Sequence, residues 1–251
     1  MSEGAGRSRA SGGPGRTTRV VHVSLAVGLV VVALGTLASL GAVALSRSTP
    51  SWWTSVTPDD PATIASAESL ERRVSSEMTL PRSDEVWTLE ISEASANAWL
   101  NVRLPMWLSN HDMRWPGRIG RIAVDFRDDA IVVGAEVLDA ESDGQIVGAT
   151  LTPHIGASGG LGVSVRSLHV GALMLPGRLR AAHIEHLLPE DMLRDPEGRQ
   201  VLEALVDGVA LTERAEVSVD DLRLVRLRDV NVESGVLRLT CVTEVRTVRE
   251  R

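Results

Sequence analysis

Residues 20–46 contain no Asp, Glu, Lys or Arg, and the hydrophobic pattern changes character after them. At about 1.5 Å of rise per residue, a helix of that length crosses the roughly 30 Å of hydrocarbon in a bilayer. The run therefore predicts a transmembrane helix. Further on, Ile64, Ala67, Leu70, Val74 and Met78 recur at three- and four-residue intervals. This predicts an amphipathic helix, opened by Asp59-Asp60-Pro61 and closed before Pro81. The period drops to two over residues 86–91, which predicts a strand, and Ser92 with Glu93 has the chemistry of a helix start. That helix carries Ala94, Asn97, Ala98, Trp99 and Leu100 and is expected to stop near Pro105. Residues 106–115, with Trp107 and Trp115, then read as an apolar loop.

Alternation dominates the middle of the chain. Ile122, Val124 and Phe126, then Ile131, Val133, Ala135 and Val137, flank Asp128-Asp129 as in a hairpin. Ser142-Asp143-Gly144 reads as the next turn, residues 145–155 as a strand, the glycine-rich residues 156–162 as a turn and residues 163–170 as another strand. The passage predicts a meander of about four antiparallel strands. Leu175-Pro176 is expected to open a helical region with Leu179, Ala182, Ile184, Leu187 and Leu188, and a further helix to follow Asp195-Pro196. Two strands, near residues 221–232 and 236–245, close the chain around Glu233-Ser234-Gly235. Helices segregated around an antiparallel sheet predict an α+β fold: an N-terminal transmembrane helix, then a curved antiparallel meander packed with several helices.

Charge orients this arrangement. Arg7, Arg9, Arg16 and Arg19 precede the apolar run against a single acid, Glu3, and positive flanks stay cytoplasmic. The expected organisation is a disordered basic cytoplasmic tail (1–19), a signal anchor (20–46), a Ser/Thr/Pro-rich spacer (47–60) and an extracytoplasmic domain (61–251). The protein is thus expected in the inner (cytoplasmic) membrane, single-pass, with its N-terminus inside. A cleavable signal peptide is the rival reading, because Ala42-Val43-Ala44 has the small-x-small form of a cleavage site. The apolar stretch from Val23 to Leu45 nevertheless exceeds the usual core of roughly 7 to 15 residues. Trp52 and Trp53 either sit at the headgroup level beyond the span or begin the folded domain.

The whole chain carries −7, and the residues before 20 contribute +3 (four arginines, one acid), which leaves −10 from residue 47 onward. An acidic ectodomain repels phosphate backbones, so nucleic acid is excluded as a partner. Cys241 is the one cysteine; it rules out an internal disulfide and, in an alternating apolar stretch, reads as a buried inert thiol.

Three motifs suggest chemistry, and each has a plainer reading. Gly156-Ala157-Ser158-Gly159-Gly160 matches the nucleophile elbow G-x-S-x-G, but that elbow needs a helix after the serine, and the residues that follow alternate as a strand. His183 and His186 are spaced to approach one metal, yet a zinc site needs three or four organised ligands. The acidic pairs Asp59-Asp60, Asp128-Asp129, Glu190-Asp191 and Asp220-Asp221 fall at turns and element ends, where Asp caps helices and closes Asx turns. No catalytic residue, metal ligand or cofactor is assigned.

The passage Trp87-Thr88-Leu89-Glu90-Ile91-Ser92-Glu93 into Asn97-Ala98-Trp99-Leu100, behind an anchor and a spacer, resembles the "L-T-E-x-x-x-N-x-x-L" start of the YpmS-like single-pass envelope proteins of bacteria. Val170-Gly171-Ala172-Leu173-Met174-Leu175-Pro176 is similar to that family's "G-x-L-x-L-P" entry to a helix. Ser92 stands where the family has threonine. The resemblance implies a long curved sheet around helices, similar to extracytoplasmic folds that bind lipid in a tubular groove, and no established reaction. The expected role is non-enzymatic: binding a lipid or other apolar ligand through Asn97, Trp99, Trp107 and Trp115. The alternatives are an assembly factor docking another membrane protein through the apolar residues around Trp107 and Trp115, and a hydrolase using Ser158 or the histidine pair. Asn97 is also expected to bridge helix and sheet, with Asn101 nearer the solvent.

Overall fold

The computed structural model describes residues 39–80, 82, 85–113, 115, 117–139, 142–176, 212–220 and 222–245. The chain divides into two units, Met1–Ala44 and Leu45–Arg251. Residues 39–47 are helical and are designated α1. Most of the expected membrane span lies outside the described residues, and among those described no helix is long and apolar enough to cross a membrane.

The second unit is α+β, and two of its helices begin as the pattern predicts. Helix α2 (Pro61–Thr79) is capped by the Asp60 carboxylate, which accepts from Thr63 N at 3.1 Å, and it buries Ala67 and Leu70. Strand β1 (Val86–Ser92) runs directly into α3 (Glu93–Val102), whose N-cap is Ser92. Pro105 does not leave a loop behind it. It lies in the first turn of a short helix, α4 (Leu104–Asn110), where a missing N–H costs nothing because no helical partner exists there.

The strands form two sheets, not the single sheet expected. One is a sequential meander of β2 (Ile119–Arg127), β3 (Ala130–Asp139), β4 (Ser142–Ile155), β5 (Leu161–Val170) and β6 (Leu173–Pro176). The other has the order β1-β9-β8-β7, built from β7 (Glu216–Ser218), β8 (Arg223–Glu233) and β9 (Val236–Val245). Alternation marks strands but not their partners: β1 pairs with β9, joining the two ends of the domain. Two further expectations shift. Pairing of Asp139 with Ser142 places Ser142-Asp143-Gly144 within β4 and not in a turn. Leu175-Pro176 belongs to β6, where proline is tolerated because β6 is an edge strand. The helices expected over residues 179–188 and after Pro196 lie outside the described residues.

One cluster of buried side chains joins Trp87, Leu89, Val225 and Cys241 beneath α2; the second joins Val124, Phe126 and Val232 beneath α3. The Trp87 indole donates to Thr243 Oγ1 (3.0 Å), and the Arg82 guanidinium lies 4.5 Å over its ring. Cys241 is buried as expected, and burial pushes its thiol up.

Residues read as a spacer lie against the meander. Gly134 pairs with Gly148 across β3 and β4, and the Trp52 ring fills the space that a Cβ at Gly134 would occupy. Trp52 therefore belongs to the fold. Just before it, Leu45 O accepts from Ala172 N (2.9 Å) and Ser46 O from Gln145 Nε2 (3.3 Å), beside Gly171, whose φ of 57° favours glycine.

Beside Trp52 lies buried His169, its Nε2 within 2.8 Å of Thr150 Oγ1 and 3.2 Å of Ser167 Oγ. Burial pushes this imidazole below its ordinary 6.5, and the Arg127 charge adds to the shift. The unfolded chain takes up a proton near pH 6.5 while the folded ring stays neutral. This contribution to stability is fully present above that pH and lost as pH falls through the lowered folded value. His169→Gln should flatten the fall in stability between roughly pH 7 and 5, read from urea midpoints. An unchanged slope would assign that pH dependence elsewhere.

Candidate functional site

Helix α3 sets the geometry of the site. Strand β2 is the outermost strand of the meander, so one row of its backbone groups lacks a strand partner. Side chains of α3 take that place. Phe126 N donates to Glu93 Oε2 (2.9 Å), Val124 N to Asn97 Oδ1 (2.7 Å) and Ile122 N to Asn101 Oδ1 (3.1 Å). In return Asn97 Nδ2 donates to Val124 O (2.8 Å) and Asn101 Nδ2 to Ile122 O (2.6 Å). The match is metric: four helical residues rise about 6 Å and two strand residues about 6.6 Å. Residues 93, 97 and 101 therefore keep step with 126, 124 and 122. At the same corner Gly235 N donates to Phe126 O (2.9 Å) and Glu93 N to Gly235 O (2.9 Å), which ties the β8–β9 turn to β2.

With one flank of α3 committed to the edge, Ala96, Trp99 and Leu100 turn to an apolar cleft of about 660 Å³. Val124, Phe126, Ile131 and Val133 of the meander, with Ile91 and Leu237 of the other sheet, line it from the sheet side. Leu70 and Val74 of α2 and Met106 and Trp107 of α4 line it from the helical side. Its size falls within the range of small-molecule sites. Polar groups are few. Arg103 and Glu71 form a two-pronged ion pair (Nε–Oε2 2.5 Å, Nη2–Oε1 3.2 Å). This hydrogen bonding holds the Glu71 carboxyl below its usual range and raises the Arg103 guanidinium. Both charges are thus present and cancel beside the cleft.

Comparison with known proteins finds no family model, curated protein or solved structure that matches this chain.

Of the expected site residues, the structure brings Trp99 and Trp107 together at the cleft. Asn97 is 2% exposed, and its amide oxygen and nitrogen each bond the backbone of Val124, so it clamps the fold. Trp115 stands apart, its indole donating to Ile119 O at 2.6 Å. Asn101, expected near solvent, is the second clamp. Leu70 and Val74 were legible as a helix face but not as a wall, and nothing local in sequence couples Glu71 to Arg103.

The remaining motifs take structural places. Ser158 occupies the turn between β4 and β5, with a strand on both sides, so no nucleophile elbow forms. Asp60 caps α2; Asp128 Oδ1 accepts from Ser234 N (3.1 Å) and Asp220 Oδ1 from Leu222 N (3.0 Å). Among the described residues, no group of three or more His, Cys, Asp or Glu side chains is placed to hold a metal. His183, His186, Glu190 and Asp191 lie outside the described residues.

Proposed function

We propose that the protein is a single-pass envelope protein whose extracytoplasmic domain binds the acyl chain of a lipid or similar amphiphile, without catalysing a reaction. The observation that carries this reading is the cleft of about 660 Å³, lined by aliphatic and aromatic side chains from both sheets and three helices. Its one ion pair is internally neutral, so recognition rests on the chain of the ligand and not on a charged head. Kinship with the YpmS-like envelope proteins is part of the proposal, supported by the strand-to-helix passage from Trp87 to Leu100. A likeness to tubular lipid-binding folds belongs to it as well.

A docking role has one observation in its favour: Met106, Trp107 and Met113 are exposed apolar side chains close together in sequence around α4. They would equally serve as the lip over which an acyl chain enters.

The membrane assignment has its own test. A reporter active only outside the cytoplasm, fused after Arg251, should be active, because the arginines before residue 20 hold the N-terminus inside. Activity of a cytoplasm-only reporter at the same position would overturn the topology. Uptake of a fluorescent fatty acid, monitored by quenching through Trp99 and Trp107, tests the binding reading; saturable quenching is expected, and a linear, unsaturable signal counts against it.

A further inference from the structure

A second cavity, of about 480 Å³, lies between the β4–β5 turn and β8 and is lined by Ser158, Arg214, Arg226 and Arg228 with the glycine-rich backbone. Hydrogen bonds donated by backbone N–H groups build it. Ala215 N donates to Gly159 O (2.9 Å), Leu227 N to Ala215 O (2.8 Å) and Leu161 N to Thr212 Oγ1 (3.1 Å), so residues 212–215 stitch the turn to β8. None of these bonds uses an arginine side chain.

The charges form a row from the segment before β7 across β7, β8 and β9: Arg214, Glu216, Arg226, Glu244, Arg228. Arg226 at its centre is held by Glu244 at 2.9 Å and Glu216 at 3.5 Å. The outer arginines are only loosely held, Arg214 at 3.9 Å from Glu216 and Arg228 at 3.7 Å from Glu244, beyond ordinary hydrogen-bond distance. Three cations face two anions. Each guanidinium carries five N–H donors in a fixed fork, so the two outer residues keep most of theirs unused among the described residues. The side chains of Arg214 and Arg228 are 72% and 55% exposed, so these donors are open to an anion arriving from solvent.

We infer that this cavity binds a phosphate group, carried by a lipid headgroup or by a soluble phosphate ester. A tetrahedral oxyanion offers several oxygens at once, which suits guanidinium forks with unused donors on the wall of one cavity that Ser158 also lines. Its charge balances the surplus cation. The site is separate from the acyl cleft and stands whether or not that reading holds.

The test uses the full-length protein in a neutral detergent, titrated by calorimetry with inorganic phosphate and, separately, with short-chain phosphatidic acid. Saturable binding is expected for at least one probe, weakening with salt and falling about tenfold or more in Arg214→Gln/Arg228→Gln. The paired lysine variant, which keeps charge but loses the fork, should recover part of the affinity. Binding of both probes points to phosphate in general, and binding of phosphatidic acid alone to a headgroup; either supports the site if the double variant loses it. No saturable binding to either probe, or equal affinity in the glutamine variant at an unchanged melting temperature, overturns it.

Discussion

Asn97→Leu should destabilise the domain by about 2 to 6 kcal/mol, because it strands two buried backbone groups, the N–H and C=O of Val124, each costing roughly 1 to 3 kcal/mol unpaired. Leucine brings apolar surface, but it cannot regain that loss where α3 meets the edge of β2. Asn101→Leu should cost about 1 to 2 kcal/mol, less than Asn97 because its bonds to Ile122 are only part-buried and water can replace them. This reverses the expectation that Asn101 is a surface residue of little consequence. Urea melts of a fragment beginning at Leu45, which keeps the carbonyls bonded to Ala172 and Gln145, compare the two directly. Small and equal effects would show that the strand edge does not depend on the clamp.

The sequence made the elements legible where a local rule governs them. Asp60 before Pro61 and Ser92 before Glu93 mark helix starts through their own side chains, and the turns at Asp128-Asp129 and Glu233-Ser234-Gly235 interrupt alternation where the structure does. Partners were not legible. Pairing of β1 with β9, the two-sheet division and the coupling of Glu71 to Arg103 are contacts between distant residues that no local period encodes. Pro105 and Pro176 show the same limit from the other side: a proline signals a boundary, but whether it begins a helix or ends an edge strand depends on what lies beside it. For the site, the tryptophans stood out by their rarity; Trp99 and Trp107 line the cleft, and Trp115 lies outside its lining. The polar spacing of Glu93, Asn97 and Asn101 was present in the sequence; its meaning needed the open edge of β2.

Binding in the cleft should track chain length and be abolished by filling the space. Each methylene withdrawn from water contributes roughly 0.8 kcal/mol, so affinity across a series of saturated fatty acids should rise about fourfold per added CH₂ and level off once the cleft is full. Ala96 lines the cleft from α3, one residue before the Asn97 clamp, and Ala96→Trp would put an indole where the ligand sits. Loss of binding is expected with the clamp intact, so the melting temperature should change far less than in Asn97→Leu. Trp107→Ser, at the exposed lip, should weaken binding without abolishing it, because Trp107 covers one side only. An affinity independent of chain length would point to a surface interaction.

The most direct measurement is native mass spectrometry of the full-length protein extracted from membranes in a mild detergent, for the unaltered chain and for Ala96→Trp. The unaltered protein should retain a bound species that releases an acyl chain on fragmentation, at one copy per chain, and the variant should fly without it. A bare mass for the unaltered protein, or the same adduct on both, would contradict an acyl-binding cleft between α3 and the sheets.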